Sequence, residues 1–137
     1  MIPTEMQEKL LLLAKEAQGK AYVPYSKFAV GAALLTAEDD IFTGCNIENI
    51  SYGLSICGER STIFKMITEK GPNTKIKAIA VTTKADIPCS PCGACRQVIL
   101  EFSTPSTVVI YKSHDGYVSS PIAQLLPDAF KEIVPMD

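Results

Sequence analysis

The residues best suited to chemistry lie in two short segments, Cys57-Gly58-Glu59-Arg60 and Pro91-Cys92-Gly93-Ala94-Cys95-Arg96. The three cysteines of these segments could together hold one zinc ion, and Glu59 lies two residues beyond the first of them. Structural zinc usually has four protein ligands, whereas catalytic zinc has three and keeps one position open for water. Three cysteines with a neighbouring carboxylate therefore favour a catalytic zinc site over a structural one.

The spacing of these residues is more informative than the cysteine pair alone. A single C-x-x-C is weak evidence for a catalytic zinc site, because redox dithiols and half of a zinc ribbon share the pattern. The upstream C-x-E and the proline before the pair extend it to C-x-E … P-C-x-x-C across residues 57–95. This longer pattern resembles the signature of zinc-dependent nucleoside and nucleobase deaminases, with cysteine in place of the first histidine.

Composition limits the classes of protein to consider. With 137 residues and 47% hydrophobic residues, we expect a single domain over residues 1–137. A net charge of −2 disfavours a polymeric nucleic acid as substrate. The start of the chain lacks a basic region, and the apolar run 10–14 is too short for a signal or membrane segment, so we expect a cytoplasmic protein. Five cysteines indicate metal ligands plus spares rather than disulfides.

Hydrophobic periodicity and turn residues predict alternating helices and strands. The first helix is expected to begin with a capping box formed by Thr4 and Gln7 and to end with Gly19 at the C′ position. The strands are expected at 28–35, 41–43, 76–81, 108–111 and after 116, and further helices from 57, at 94–102 and around 122–126. The first two strands form an antiparallel hairpin, and the later strand-helix alternation implies parallel crossovers with helices on the faces of the sheet.

Both cysteine groups fall at predicted helix N-termini, which gives them a favourable electrostatic setting. Free backbone N–H groups and the helix dipole stabilise thiolates there. Three thiolates on Zn²⁺ leave a formal charge of −1, and Arg60, three residues after Cys57, could offset it by donating hydrogen bonds to sulfur. Glu59 could act as a general acid–base group beside water on the metal. Arg96 is as readily a surface residue as a supporting one.

The chain resembles a known family, the small homotetrameric cytidine deaminases. Five segments carry the resemblance in the family's order, across nearly the whole chain. They are Tyr25-Ser26-Lys27-Phe28-x-Val30-Gly31-Ala32-Ala33-Leu34, Gly44-Cys45-Asn46-Ile47-Glu48-Asn49, Cys57-Gly58-Glu59-Arg60, Ser90-Pro91-Cys92-Gly93-Ala94-Cys95-Arg96-Gln97 and Leu125-Leu126-Pro127-x-Ala129-Phe130.

The resemblance implies an α/β protein with a three-layer α/β/α fold and a mixed sheet of about five strands. It also implies hydrolytic deamination of cytidine and 2′-deoxycytidine in pyrimidine salvage, with one Zn²⁺ per chain and self-association into a homotetramer. Cys57, Cys92 and Cys95 would be the zinc ligands, Glu59 the proton shuttle, and Arg60 the group that moderates the thiolates.

The resemblance further implies a set of substrate contacts. Asn46 and Glu48 would hydrogen-bond the ribose hydroxyl, Phe28 would pack beside the nucleoside, and the Gly58 N–H would help to hold the base. Tyr52 and Phe130 would reach into the site of a neighbouring subunit. From the residues alone, the segment around Asn46 and Glu48 is more simply interpreted as a solvated turn, and both phenylalanines as core residues.

One position departs from the family, which most often has Ala where this chain has Gly58. Glycine is a poorer helix former, but its N–H is retained, so we expect the chemistry to survive. Cys45, Cys89 and the single histidine, His114, lie outside the ligand pattern. Three alternatives stay open: deamination of an antibiotic such as blasticidin S, editing of polymeric RNA, and a zinc-stabilised binding module without catalysis.

Overall fold

A mixed five-stranded sheet forms the centre of the fold in the computed structural model, which describes residues 2–84 and 87–132. The strands are β1 (Val30–Thr36), β2 (Ile41–Cys45), β3 (Ile76–Thr83), β4 (Ser103–Ser113) and β5 (Gly116–Pro121), in the spatial order β2-β1-β3-β4-β5. The helices are α1 (Thr4–Gln18), α2 (Gly58–Lys70), α3 (Gly93–Glu101) and α4 (Ile122–Leu125), with a short 3₁₀ helix at Tyr52–Leu54.

Two hydrophobic clusters cover the two faces of this sheet. Leu10 and Ala14 of α1 pack with Ala33 and Leu35 of β1 on one face. On the other face, Leu34 of β1 packs with the helical residues Ile63, Met66, Ile99 and Ile122. Successive strand residues point to opposite faces, so β1 contributes to both clusters. The three-layer α/β/α fold expected from the sequence is confirmed.

The strand directions also agree with the expected connections. β1 is antiparallel to both β2 and β3, so β2 and β3 run in the same direction on either side of it. β3 and β4 pair in parallel, and β5 returns antiparallel to β4. α2 therefore connects two parallel strands across β1, and α3 connects two parallel neighbours. The hairpin and the parallel crossovers are both confirmed.

Two details of the first helix were predicted wrongly. Pro3 occupies the N-cap of α1 and no side chain caps it; Gln7 instead donates its Nε2–H to the carbonyl of Ile2. Gly19 lies at the C-cap with φ −63°, a right-handed conformation, so it does not use the left-handed freedom of glycine. Proline at this position already restricts the entry into the helix.

None of the helices in the described part of the chain is long and apolar enough to cross a lipid bilayer.

Close packing of α1 on β1 depends on the absence of a side chain at Gly31. A Cβ at this position would lie 1.9 Å from the carbonyl oxygen of Ala14, far inside van der Waals contact. We expect Gly31→Ala to reduce the free energy of unfolding by about 1–3 kcal/mol, because the helix must move away from the sheet. Gly53→Ala is the matched control, since a Cβ there meets nothing within 4 Å. Urea unfolding of both variants measures the difference, and equal stability would contradict this account of the packing.

Candidate active site

Three cysteine sulfurs converge where two helices begin. The Sγ atoms of Cys57, Cys92 and Cys95 all lie within 4.8 Å of one another, and those of Cys57 and Cys92 are 4.0 Å apart. Tetrahedral zinc with Zn–S bonds of about 2.3 Å places its sulfurs roughly 3.8 Å apart. Both the donor type and the spacing therefore fit a zinc ion held by three thiolates.

The helix ends position these sulfurs. Cys57 is the N-cap residue of α2 and Cys92 that of α3, while Cys95 lies in the first turn of α3. The backbone N–H of Cys95 donates to the sulfur of Cys92 over 3.4 Å. Unpaired N–H groups at such ends stabilise negative charge, so the fold supplies an environment suited to thiolates.

Arg60 adds a positive charge beside the sulfurs. Its Nη2 atom lies 3.4 Å from the sulfur of Cys57, the contact expected from the sequence. A hydrogen bond from Cys95, together with the guanidinium of Arg60, lowers the pKa of Cys57 well below that of a free thiol. The hydrogen bond with Cys57 raises the pKa of Cys95, because one thiol of a close pair retains its proton more readily than the other.

Glu59 is an unusual acidic residue because it is almost completely buried. Its side chain is only 4% exposed, and it follows two residues after Cys57 in the first turn of α2. Burial raises the pKa of this carboxyl group to about 7, opposed by its own backbone N–H, by Cys95 and by Arg60. A carboxylate buried beside a metal site is the kind of group that transfers protons in catalysis.

Asn46 binds the backbone at the start of β1. Its Oδ1 atom accepts the N–H of Val30 and its Nδ2 atom donates to the carbonyl of Phe28, each over 2.9 Å. One Nδ2 hydrogen remains after these two bonds, since an amide group offers two donors. Asn46 therefore fixes the position of Phe28, which is half-buried, in addition to any contact with a ligand.

Glu48 is buried as well, at 7% exposure, but its surroundings differ from those of Glu59. The N–H groups of Tyr25 and Ser26 donate to Oε1 over 3.1 Å each, and the Ser26 hydroxyl donates to Oε2. Burial alone would raise the pKa of Glu48, but the hydrogen bonds from Ser26 and Tyr25 and the charge of Lys27 outweigh it and lower the pKa. The carboxylate is thus held ionised.

The remaining predicted substrate contacts are Gly58, Tyr52 and Phe130. Gly58 opens α2, and a Cβ there would lie 3.3 Å from the carbonyl oxygen of Val30, toward the sheet. The absence of a methyl group at Gly58 therefore affects how closely α2 packs against the sheet. Tyr52 and Phe130 are 59% and 69% exposed, so their rings pack little within this chain.

Arg96 is a structural clamp, a role that the sequence left undecided. Its guanidinium donates to the carbonyl of Pro91 over 2.7 Å, and to the Ser90 hydroxyl and the carbonyl of Leu125 over 2.8 Å each. The loop that presents Cys92 is thereby tied to the end of α4. Because the partners lie 5, 6 and 29 residues away in sequence, no local pattern could have revealed all three contacts.

The other two cysteines and the histidine are not among the three converging sulfurs. Cys45 and Cys89 are partly buried free thiols, and burial raises the pKa of each; the charges of Glu59, Cys57 and Cys92 raise that of Cys89 further. His114 is exposed in a turn. Ser26 was missed by the sequence argument as a functional residue, although it lies in a quoted motif; its partner Glu48 is 22 residues away.

Comparison with known proteins identifies the family. The model of the cytidine and deoxycytidylate deaminase zinc-binding region matches residues 4–112. The chain is 47% identical over 126 residues to a cytidine deaminase of Sporosarcina psychrophila, covering 91% of each chain. It is 42% identical over 125 residues to that of Halalkalibacterium halodurans, covering 90% of this chain and 93% of the relative.

Solved structures agree with the sequence comparison. The crystal structure of cytidine deaminase from Burkholderia pseudomallei superposes with a TM-score of 0.82 at 43% identity, covering 90% of this chain and 98% of that one. The enzyme from Mycobacterium tuberculosis gives a TM-score of 0.81 at 36% identity, covering 92% and 98%. With its three converging sulfurs and its buried glutamate, this chain belongs to the cytidine and deoxycytidylate deaminase family.

Proposed function

We propose that this chain hydrolyses cytidine and 2′-deoxycytidine to uridine and 2′-deoxyuridine, releasing ammonia, as a step of pyrimidine salvage. One observation carries the proposal: the buried carboxylate of Glu59 adjoins three sulfurs that converge at two helix N-termini. Three ligands leave a coordination position for water, and a buried carboxylate beside it suits general acid–base catalysis. The cytidine deaminases similar to this chain support the choice of substrate.

Cys57, Cys92 and Cys95 hold the zinc ion in this proposal. When bound, zinc acts as a Lewis acid that makes a water molecule a better nucleophile near neutral pH. Arg60 neutralises part of the negative charge of the three thiolates through its contact with Cys57. Without the positive charge of Arg60, the negative charge of the thiolates would oppose the loss of a proton from the water molecule.

Glu59 moves the proton during the reaction. Its carboxylate takes one proton from the attacking water and gives it to the ring nitrogen next to the amino-bearing carbon. The hydroxyl oxygen bonds to that carbon, and the carbon-nitrogen bond to the amino group then breaks. Glu59 transfers a second proton from the oxygen to the departing amine, so water and cytidine become uridine and ammonia.

The remaining site residues bind the nucleoside. The N–H of Gly58 donates to the base, and Phe28 packs beside it. Asn46 and Glu48 form hydrogen bonds with the sugar hydroxyl. The fixed positions of Phe28, Asn46 and Glu48 in their internal hydrogen bonds support this assignment, because a prearranged site loses less entropy on binding.

We further propose that the chain is a single domain and assembles as a homotetramer in the cytoplasm. The exposed rings of Tyr52 and Phe130 support assembly, since large aromatic side chains are favoured at protein interfaces. Five free cysteines support a reducing compartment. In the tetramer, Tyr52 and Phe130 complete the site of a neighbouring subunit.

The proton shuttle is tested by Glu59→Gln. The amide cannot accept and return a proton, so we expect the rate of cytidine deamination to fall about 100-fold or more while zinc content stays at one ion per chain. The decrease of ultraviolet absorbance of cytidine and deoxycytidine measures the rate, with blasticidin S as an alternative substrate. Wild-type turnover in the variant would overturn the role of Glu59, and no turnover of either nucleoside by the zinc-loaded wild type would overturn the proposed function.

The ligand assignment is tested by replacing each of the five cysteines with alanine. We expect Cys57→Ala, Cys92→Ala and Cys95→Ala to lose tightly bound zinc, because two thiolates hold the ion less well than three. Cys45→Ala and Cys89→Ala are matched controls and retain one zinc per chain. Metal analysis after dialysis against a chelator decides the matter, and zinc loss in a control variant would contradict the assignment.

Sharing of sites between subunits is tested by mixing two inactive proteins. We expect Phe130→Ala and Glu59→Gln, each nearly inactive alone, to regain activity when they are unfolded and refolded together. A mixed assembly contains sites with Glu59 from one subunit and Phe130 from another. Mixing Phe130→Ala with the double variant Glu59→Gln/Phe130→Ala is the control and gives no recovery. Absence of recovery in the first mixture, with mixed assemblies present by mass measurement, would refute the shared site.

A further inference from the structure

Residues 24–28 form a short strap that the carboxylate of Glu48 holds in place. The Tyr25 and Ser26 N–H groups and the Ser26 hydroxyl all donate to this one carboxylate. The Ser26 oxygen in turn accepts the N–H of Phe28 over 3.0 Å. Ser26 therefore contacts both Glu48 and the backbone of Phe28, two residues assigned to the nucleoside above.

The strap is a strained piece of backbone. Lys27 has φ 60°, in the left-handed region that non-glycine residues rarely adopt. Such a conformation persists only when surrounding contacts fix it, and it is common at ligand-binding sites. The bonds of Ser26 to Glu48 and to the N–H of Phe28 supply such contacts, as does the bond from the Lys27 N–H to the carbonyl of Val23 over 3.1 Å.

A count of acceptor positions shows what remains available on Glu48. An ionised carboxylate has about four lone-pair positions, two on each oxygen. Oε1 accepts two N–H groups and Oε2 accepts the Ser26 hydroxyl, so three positions are filled. Among the contacts of the described residues, one position remains on Oε2, and it can accept a hydrogen bond but cannot donate one, because the group is ionised.

We infer that Ser26 is a positioning residue, which orients Glu48 so that its single free lone pair accepts a hydrogen bond from one sugar hydroxyl of the nucleoside. The inference rests on the proposed function and deepens it by naming the residue that orients Glu48 toward the sugar. The lowered pKa of Glu48 agrees with a carboxylate kept as an acceptor. Free cytosine lacks the sugar hydroxyl and gains nothing from this arrangement.

The test is a double-variant cycle of Ser26→Ala and Glu48→Ala with cytidine as substrate. Hydrogen bonds to charged groups are strong, so we expect Ser26→Ala to raise KM about 10-fold or more while kcat changes about threefold at most. In the Glu48→Ala background, Ser26→Ala should add less than about a threefold change, because the group through which it acts is gone. Ser26→Thr keeps the hydroxyl, so its KM should stay close to that of the wild type.

Several controls separate this inference from the proposed function and from general damage. Ser119→Ala removes an exposed hydroxyl on β5 and should leave KM unchanged. Equal effects of Ser26→Ala in both backgrounds, a fall in kcat with KM unchanged, or loss of zinc would overturn the positioning role. Failure of the wild type to turn over cytidine would instead overturn the proposed function, and the inference with it.

Discussion

The site depends on bringing two helix N-termini to one edge of one sheet. The sulfurs of Cys57 and Cys92 come from residues 35 positions apart, yet they lie 4.0 Å apart. β2 and β3 are parallel, so the chain leaves both strands at the same edge and enters α2 and α3 there. Crossovers between parallel strands are right-handed, which places both helices on the same face. A change in the direction of either strand would separate the ligands.

Charge is concentrated at this meeting point. Three thiolates and a buried carboxylate would repel one another in an apolar interior. The helix N-termini, Arg60 and a metal cation are the opposing positive charges, and each acts on the same few atoms. Glu59 and Glu48 are both buried but have different electrostatic surroundings. Glu59 is buried next to other negative groups and its pKa is raised, whereas Glu48 is surrounded by donors and its pKa is lowered.

Sequence patterns predicted what depends on local spacing. Hydrophobic periodicity located all five strands and four helices, although β4 begins five residues before the predicted start at 108. The cysteine spacing located the residues that meet in the metal-binding cluster. The same reasoning failed at the start of α1, where Pro3 replaced the expected cap, because several residue types suit that position.

Contacts between distant segments could not be read from the sequence. Glu48 meets Ser26 because the backbone of Tyr22 pairs with that of Ile47, a register set by the folded loops. The contact of Arg96 with the carbonyl of Leu125 depends in the same way on where α4 ends. In each case the residue types were visible in the chain, and the tertiary arrangement determined which of them met.

The guanidinium of Arg96 connects two distant parts of the molecule. It joins the loop before Cys92 to the end of α4, and the neighbouring Gln97 donates to the carbonyl of Phe130 over 2.8 Å. A displacement of α4 would therefore remove one of the three acceptors that hold Arg96 beside this loop. The support of Cys92 depends in that way on a residue 29 positions beyond Arg96 in the chain.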